Sequence, residues 1–173
     1  MGMAASAKLL EPVEEAIAHM PSASILPYRV PNVDNAAEQL VAQQAKVSEE
    51  WLDTMRTSTR SAIERVRNLE VLTMLRESMS QAVERAEWHI AQTDKDMAEA
   101  LSQSPPPLPR TAIRTIGRGL KRVRQRQREV LVDLYYEVVV ACAEADPESR
   151  ERVGTATNAA ELSAMLKRIR PDI

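Results

Sequence analysis

The sequence predicts an all-α protein, an elongated helical bundle built on a long antiparallel helical hairpin with additional shorter helices. The stretch from Asp34 to Gln103 contains no proline and no glycine. Apolar residues recur along it every three or four positions, which is the spacing of one helical face. Aromatic residues are scarce, with no Phe, two Trp and three Tyr, so aliphatic side chains and methionine must fill the core, as helix-on-helix packing allows. A length of 173 residues predicts a single domain, 1–173.

The N-terminal part predicts a short amphipathic helix followed by a connector. The helix spans 6–20, and Pro12 should lie within its first turn, where proline is tolerated. Residues 21–33 contain three prolines among apolar side chains, which is typical of an extended connector lying against the bundle. Asn32 or Asp34 is then expected to cap the next helix.

The long segment 34–103 is expected to break at 57–61. An unbroken helix of this length would extend about 105 Å, too long for an ordinary globular domain. Residues 57–61 read Thr-Ser-Thr-Arg-Ser, and hydroxyl side chains favour helix caps over helix interiors. Ser61 to Glu64 also has the form of a capping box. Two helices near 35–57 and 61–103 are therefore predicted, and one continuous rod is the alternative.

A proline linker at 104–109 separates the long segment from a second helical run, 110–146. Folding the two arms back antiparallel brings their apolar positions together in one register, in which the paired residue numbers sum to 213. The apolar pairs are Met97–Ile116, Ile90–Val123, Val83–Val130, Met79–Leu134, Leu75–Val138 and Leu72–Ala141. The charge pairs are Glu99–Arg114, Asp96–Arg118, Glu87–Arg126 and Glu84–Arg128. Gln127 falls opposite Ala86 and is a weak point in this seam.

The C-terminal segment 147–173 is predicted to be helical in part. Asp146-Pro147 should end the second arm, and Pro147 also suits the first position of a helical turn. Asn158 is expected to cap a final helix that Pro171 closes.

Composition predicts a cytoplasmic protein. Cys142 is the only cysteine, so no internal disulfide can form, which fits a reducing compartment. The first 20 residues have no continuous apolar core of the kind a signal peptide needs. No run reaches the roughly 20 apolar residues that span a bilayer.

The charge is most uneven in residues 110–128, which hold eight basic and no acidic side chains in a chain of net charge −2. Such a helix can bind nucleic acid or another polyanion, an acidic protein or an anionic membrane. It can equally be a solvated face, paired in part across the hairpin. The basic residues are Arg110, Arg114, Arg118, Lys121, Arg122, Arg124, Arg126 and Arg128.

Gly117 and Gly119 lie inside this basic helix, where each costs roughly 1 kcal/mol relative to alanine. They indicate a kink, with a delayed helix start or a close approach by Met97 or a partner as alternatives. They do not form a phosphate-binding loop, because the Gly-Lys-Ser/Thr ending of that motif is missing.

No group of residues predicts catalysis, a cofactor or a metal site. His19 and His89 are isolated and are interpreted as surface or satisfied side chains. Cys142 reads as a small buried residue with no base to activate it. The carboxylates have the spacing of helical surfaces, which favours solvation over acid–base chemistry.

The leading functional prediction is therefore a non-enzymatic protein–protein interaction or assembly module, self-associating or bound to another helical protein. Its expected oligomer interface is the stripe of Leu40, Val47, Trp51 and Met55. The alternatives are a nucleic-acid-binding protein that uses helix 110–128, and a ligand-binding or enzymatic bundle whose site the sequence does not reveal. The sequence identifies no specific partner.

Overall fold

The computed structural model describes residues 7–22 and 35–146, and within them the chain forms four α-helices and no β-strand. The all-α prediction is confirmed. The helices are α1 (Glu11–Ala18), α2 (Ala36–Arg65), α3 (Leu69–Ser102) and α4 (Arg110–Ala145). The predicted caps at Asn32 or Asp34, most of the connector 21–33 and the C-terminal segment 147–173 lie outside the described residues.

Helix α1 begins at Glu11, later than the predicted start at residue 6. Pro12 lies in the first turn, and Glu11 and Glu14 add acidic side chains there, where negative charge interacts favourably with the helix dipole. Val13, Ala16 and Ile17 are buried. Helix α1 therefore has one apolar face toward the core and one acidic face toward solvent.

The predicted break at 57–61 is wrong, because α2 continues through these residues to Arg65. Tertiary contacts hold the hydroxyl-rich run in the helix. Thr59 is fully buried and its Oγ1 lies 3.9 Å from Met79 Sδ, while the guanidinium of Arg60 donates to the carboxylate of Glu137 at 3.1 Å. These contacts offset the low helix propensity of hydroxyl side chains.

The chain instead leaves the helical conformation at 66–68. Asn68 Oδ1 accepts hydrogen bonds from the backbone N–H of Glu70 at 2.8 Å and of Val71 at 3.4 Å. This is an N-cap, in which a side-chain oxygen satisfies amides that have no partner inside the helix. The first hairpin arm thus starts at Leu69, later than the predicted 61.

The proline linker separates α3 from α4 as predicted. Helix α3 ends at Ser102 and α4 begins at Arg110, directly after the last proline. Arg110 Nη1 donates to the carbonyl of Leu101 at 3.1 Å, which satisfies one acceptor at the end of α3. Helix α4 ends at Ala145, just before Asp146-Pro147.

The chain divides into two compact units whose segments alternate along the sequence. The described residues of unit 1 are 7–19, 54–83 and 130–146. Those of unit 2 are 20–22, 35–53 and 84–129. Each of the three long helices contributes residues to both units.

Unit 1 has a tightly packed apolar interior. Leu75, Met79 and Val138, which the sequence predicts at the seam, are fully buried, and Leu134 is 1% exposed. The edge-to-face ring pair of Tyr135 and Tyr136 is buried on α4. The spacing of apolar residues by three and four positions therefore predicts the buried face of α3 and of α4 correctly in this unit.

Unit 2 is built from the first part of α2, the second part of α3 and the basic part of α4. The contacts of α4 with α3 run antiparallel here: Arg128 contacts Glu87, and Lys121 contacts Asp94. The contacts of α4 with α2 run parallel, because Arg126 pairs with Glu49 and Gly119 lies against Val41. The antiparallel hairpin over its whole predicted length stays a prediction.

Candidate interaction surface

The predicted oligomer interface on α2 is not available as an exposed stripe. Trp51 is 8% exposed and Met55 is fully buried by this same chain. Leu40 is half-buried against the cluster of Ala37, Ile116 and Leu120, and Val47 alone is exposed, at 42%. Most of the apolar stripe on α2 is therefore buried within this chain, and its contact with a second copy stays a prediction.

Helix α4 uses five of its eight predicted polyanion-binding residues inside the chain. Arg124 is 5% exposed. Arg110 donates to Leu101, and three ion pairs hold Lys121 to Asp94 at 3.0 Å, Arg126 to Glu49 at 3.2 Å and Arg128 to Glu87 at 2.9 Å. These five side chains contribute to packing and intramolecular pairing, which the sequence reading had kept as one alternative.

The ion pairs differ from the predicted register. Glu87 pairs with Arg128 and not with Arg126, while Arg126 reaches across to Glu49 on α2. Glu84 does not pair with Arg128, and Arg114 and Arg118 form no ion pair with any part of the described chain. The predicted register pairs α4 with α3 alone, whereas α2 packs beside α4 and supplies a second acidic surface through Glu49.

Arg124 forms the centre of a buried polar cluster. Its Nη1 donates to the carbonyl oxygen of His89 at 3.0 Å and to Thr93 Oγ1. Thr93 Oγ1 also donates to the His89 carbonyl, at 2.7 Å. Arg124 and Thr93 are thus the polar groups that join α3 to α4 at this level, since buried polar groups require partners.

His89 contradicts the prediction of a surface or satisfied histidine. It is 7% exposed and its Nδ1 has no hydrogen-bond partner. Burial lowers the pKa of His89 below its usual range, and the nearby Arg124 and Arg85 lower it further, because both effects disfavour the imidazolium. His19 is exposed and its Nδ1 lies 2.8 Å from the carbonyl of Glu15, as expected for a surface residue.

Trp88 is the most exposed large apolar residue in the described chain, at 61%. It stands at the rim of a cleft of about 380 Å³. The cleft is lined by Ser22, Trp88, His89, Gln92, Asp96 and Arg124. Gln92 Nε2 donates to Asp96 Oδ1 at 2.9 Å. The charges of Arg124 and Asp96 balance, so the cleft favours neither an anion nor a cation.

Three arginines of the basic run remain exposed. Arg114, Arg118 and Arg122 make no hydrogen bond or ion pair with residues 7–22 or 35–146. They follow one another at intervals of four residues, which places them on one side of α4. We call this set the arginine face. It concentrates three positive charges that no acidic group of the described chain neutralises by contact.

A groove of about 390 Å³ lies beside the arginine face, between α2 and α4 of unit 2. It is lined by Glu38, Val41, Ala42, Thr115, Arg118, Gly119 and Arg122. Small and apolar side chains form its floor. Arg118 and Arg122 carry positive charge and Glu38 carries negative charge, so the lining is positive overall. The groove can accept a narrow element that carries both small side chains and carboxylates.

Gly117 and Gly119 lie where neighbouring side chains approach α4 closely, as one of the alternatives from the sequence predicts. A Cβ on Gly119 would lie 2.6 Å from Val41 Cγ2, and one on Gly117 would lie 2.5 Å from Met97 Sδ. The helix continues through both positions. The absence of side chains here lets α2 and α3 approach α4 closely, so the glycines shape the packing beside the arginine face.

Other chemistries find little support in the described chain. Residues 7–22 and 35–146 contain no cluster of His, Cys, Asp or Glu that could hold a metal ion. Burial raises the pKa of the Cys142 thiol, only partly opposed by Arg76, so the thiol stays protonated and is a poor nucleophile. Among the helices of these residues, none has the length and apolar character required to cross a bilayer.

Comparison of this chain with protein-family models, with curated proteins and with solved structures found no significant match.

Proposed function

We propose that this protein is a non-enzymatic helical assembly module that self-associates through the arginine face of α4. The observation that carries the proposal is the set of three exposed arginines beside a groove, left over when the other five basic groups of the helix are used internally. Exposed arginines are enriched at protein interfaces because their planar donors pair with carboxylates in a defined geometry.

A protein partner suits this face better than nucleic acid does. The chain as a whole has a net charge of −2, which disfavours approach to a polyanion. No aromatic side chain is among the described residues that line the groove, so it offers no platform on which a base could stack. The apolar floor, in contrast, can bury small side chains of a partner helix. A cytoplasmic location is part of the same proposal.

Sedimentation equilibrium of the full chain tests this function. We expect the average mass to rise with protein concentration at low salt and to fall toward that of a monomer at high salt, because exposed charge pairs are screened. Replacing Arg114, Arg118 and Arg122 by Ser should abolish the rise. A wild-type chain that remains monomeric at every concentration and salt would overturn the proposal.

A matched control removes three exposed cations elsewhere. Arg65, Arg67 and Lys95 are exposed, and their side chains form no hydrogen bond or ion pair with the described residues. Their replacement by Ser changes the net charge by the same amount and should leave the concentration dependence unchanged. An equal loss in both variants would show that net charge, and not the arginine face, controls association.

Nucleic-acid binding through the same three arginines is the second candidate. Neutralising three phosphates would give a plot of log binding constant against log salt with a slope of about −2 to −3. Fluorescence anisotropy with a labelled oligonucleotide measures this slope. Binding with that slope by the wild type, lost in the arginine variant and kept in the matched control, would favour nucleic acid.

A further inference from the structure

We propose that the arginine face of one copy binds the acidic face of α1 of a second copy, an inference that rests on the self-assembly proposed above. The acidic face consists of Glu11, Glu14 and Glu15. It is a surface of opposite charge to the arginine face, formed by a helix whose other side is committed to the core.

The acidic face is exposed and unneutralised. Val13, Ala16 and Ile17 bury the opposite side of α1, while the three glutamates are exposed and form no ion pair with the described residues. The helix contains no basic residue of its own. Two stripes of opposite charge therefore exist on the same chain, and neither forms an ion pair with the described residues.

The two stripes match in spacing. Eight residues separate Arg114 from Arg122, so the arginine face extends about 12 Å, and the acidic face from Glu11 to Glu15 covers about half of that length. Glu11 and Glu15 are four residues apart, as are successive arginines, which gives steps of about 6 Å. The exposed Pro12 and Ala18 are small enough to face the groove floor of Val41, Ala42 and Gly119.

The geometry has a consequence for assembly. The two contacting surfaces are different parts of the chain, so two copies can exchange both contacts in a two-fold dimer, or each copy can bind a different neighbour in a ring or open chain. Average mass should therefore rise with concentration to that of a dimer or a larger species.

Charge reversal tests the inference. Arg118→Glu with Arg122→Glu makes both faces acidic, and Glu11→Lys with Glu15→Lys makes both faces basic, so each double variant alone should sediment as a monomer. Mixing the two variants should restore assembly, since each face then meets its opposite. A single chain that carries all four substitutions should also assemble. Circular dichroism and thermal melting check that each variant is folded.

A second acidic pair provides the matched control. Glu129 and Asp133 are exposed, four residues apart and without a contact partner in the described chain. Their reversal to Lys should leave assembly intact. Two results would overturn the role of α1 and leave the proposed function standing. In the first, assembly needs the arginines but survives the reversal of Glu11 and Glu15. In the second, assembly is lost when Glu129 and Asp133 are reversed. A monomeric wild type would remove both.

Discussion

The interiors of the two units differ in kind. In the described part of unit 1, Thr59 is the one buried polar residue besides the tyrosines, and aliphatic, Met, Cys and Tyr residues fill the rest. The described part of unit 2 buries five polar or charged side chains, Ser48, His89, Thr93, Arg124 and Gln127. An apolar core tolerates exchange among side chains of similar volume, whereas each buried polar group needs its own partner. Unit 2 should therefore be the more sensitive to chemical detail.

The largest effects should come from truncating one central side chain in each unit. Leu75→Ala and Arg124→Ala should each lower the free energy of unfolding by about 2–5 kcal/mol, because both leave a hole in a packed interior. Arg124→Met should recover most of the loss, since it refills the space and replaces a buried charge by an apolar group. Urea denaturation measures all three, and an Arg124→Met variant as unstable as Arg124→Ala would show that the guanidinium contacts dominate.

The pair of Gln127 and Ser48 gives the next effect. Gln127 Nε2 donates to Ser48 Oγ at 2.9 Å, and Gln127 Oε1 is buried without a partner. Gln127→Leu alone leaves the buried Ser48 hydroxyl without this hydrogen-bond partner and should lower the free energy of unfolding by about 1–3 kcal/mol. Adding Ser48→Ala removes the unpaired hydroxyl, so the double variant should regain much of the lost stability. Additive losses in a double-mutant cycle would mean that the two side chains do not interact.

These two units also show what the sequence could predict. In unit 1 the periodic positions Leu72, Leu75 and Met79 are the buried ones. In unit 2 the same pattern selected Ile90 and Met97, which are only half-buried, while His89 and Thr93 occupy the interior. A reading based on apolar spacing assigns arginine and histidine to the surface. It therefore could not anticipate that Arg124 would reach a backbone carbonyl across the helix interface.

The arginine face was predictable only in outline. The concentration of basic residues at 110–128 is visible in the sequence, but which of them remain exposed depends on α2. Glu49 lies 77 positions before Arg126 in the chain, and no local pattern indicates that these two residues meet. Asn68 is a sequence signal for the break at 66–68, because Asn favours N-caps. The hydroxyl-rich run at 57–61 is the longer pattern in the sequence and indicates the wrong position.

The two glycines of α4 should respond differently to alanine. Both substitutions gain about 1 kcal/mol of helix propensity. At Gly117 the new Cβ meets the flexible end of Met97, which can move, so we expect little change or a small gain in stability. At Gly119 it meets the branched Val41, and overpacking should cost about 1–3 kcal/mol. Thermal melts would contradict this if Gly119→Ala were the more stable of the two.

The smallest effect should be a pH dependence that belongs to unit 2. The pKa of His89 is lowered in the folded protein, so the unfolded chain binds a proton more readily. The contribution of His89 to the free energy of unfolding should be fully present above the ordinary histidine pKa of about 6.5. It should fall as the pH decreases from there toward the lowered pKa of His89 in the folded protein. If the pKa of His89 is lowered by one, the free energy of unfolding falls by about 1.4 kcal/mol across this pH range.

Two substitutions isolate this effect. His89→Gln should remove the fall in stability over this range, and His19→Gln should preserve it, because His19 is exposed. Urea denaturation at a series of pH values makes the comparison. A His89→Gln variant that keeps the full pH dependence would assign it to another group.

The alternation of the two units along the chain has a consequence for synthesis on the ribosome. The described residues of unit 2 end at Glu129, whereas those of unit 1 begin near the N-terminus and continue beyond Val130. Helix α1 therefore leaves the ribosome before the other described segments of its unit, 54–83 and 130–146, are complete. During that interval the nascent chain exposes Val13 and Ile17, which the folded unit buries.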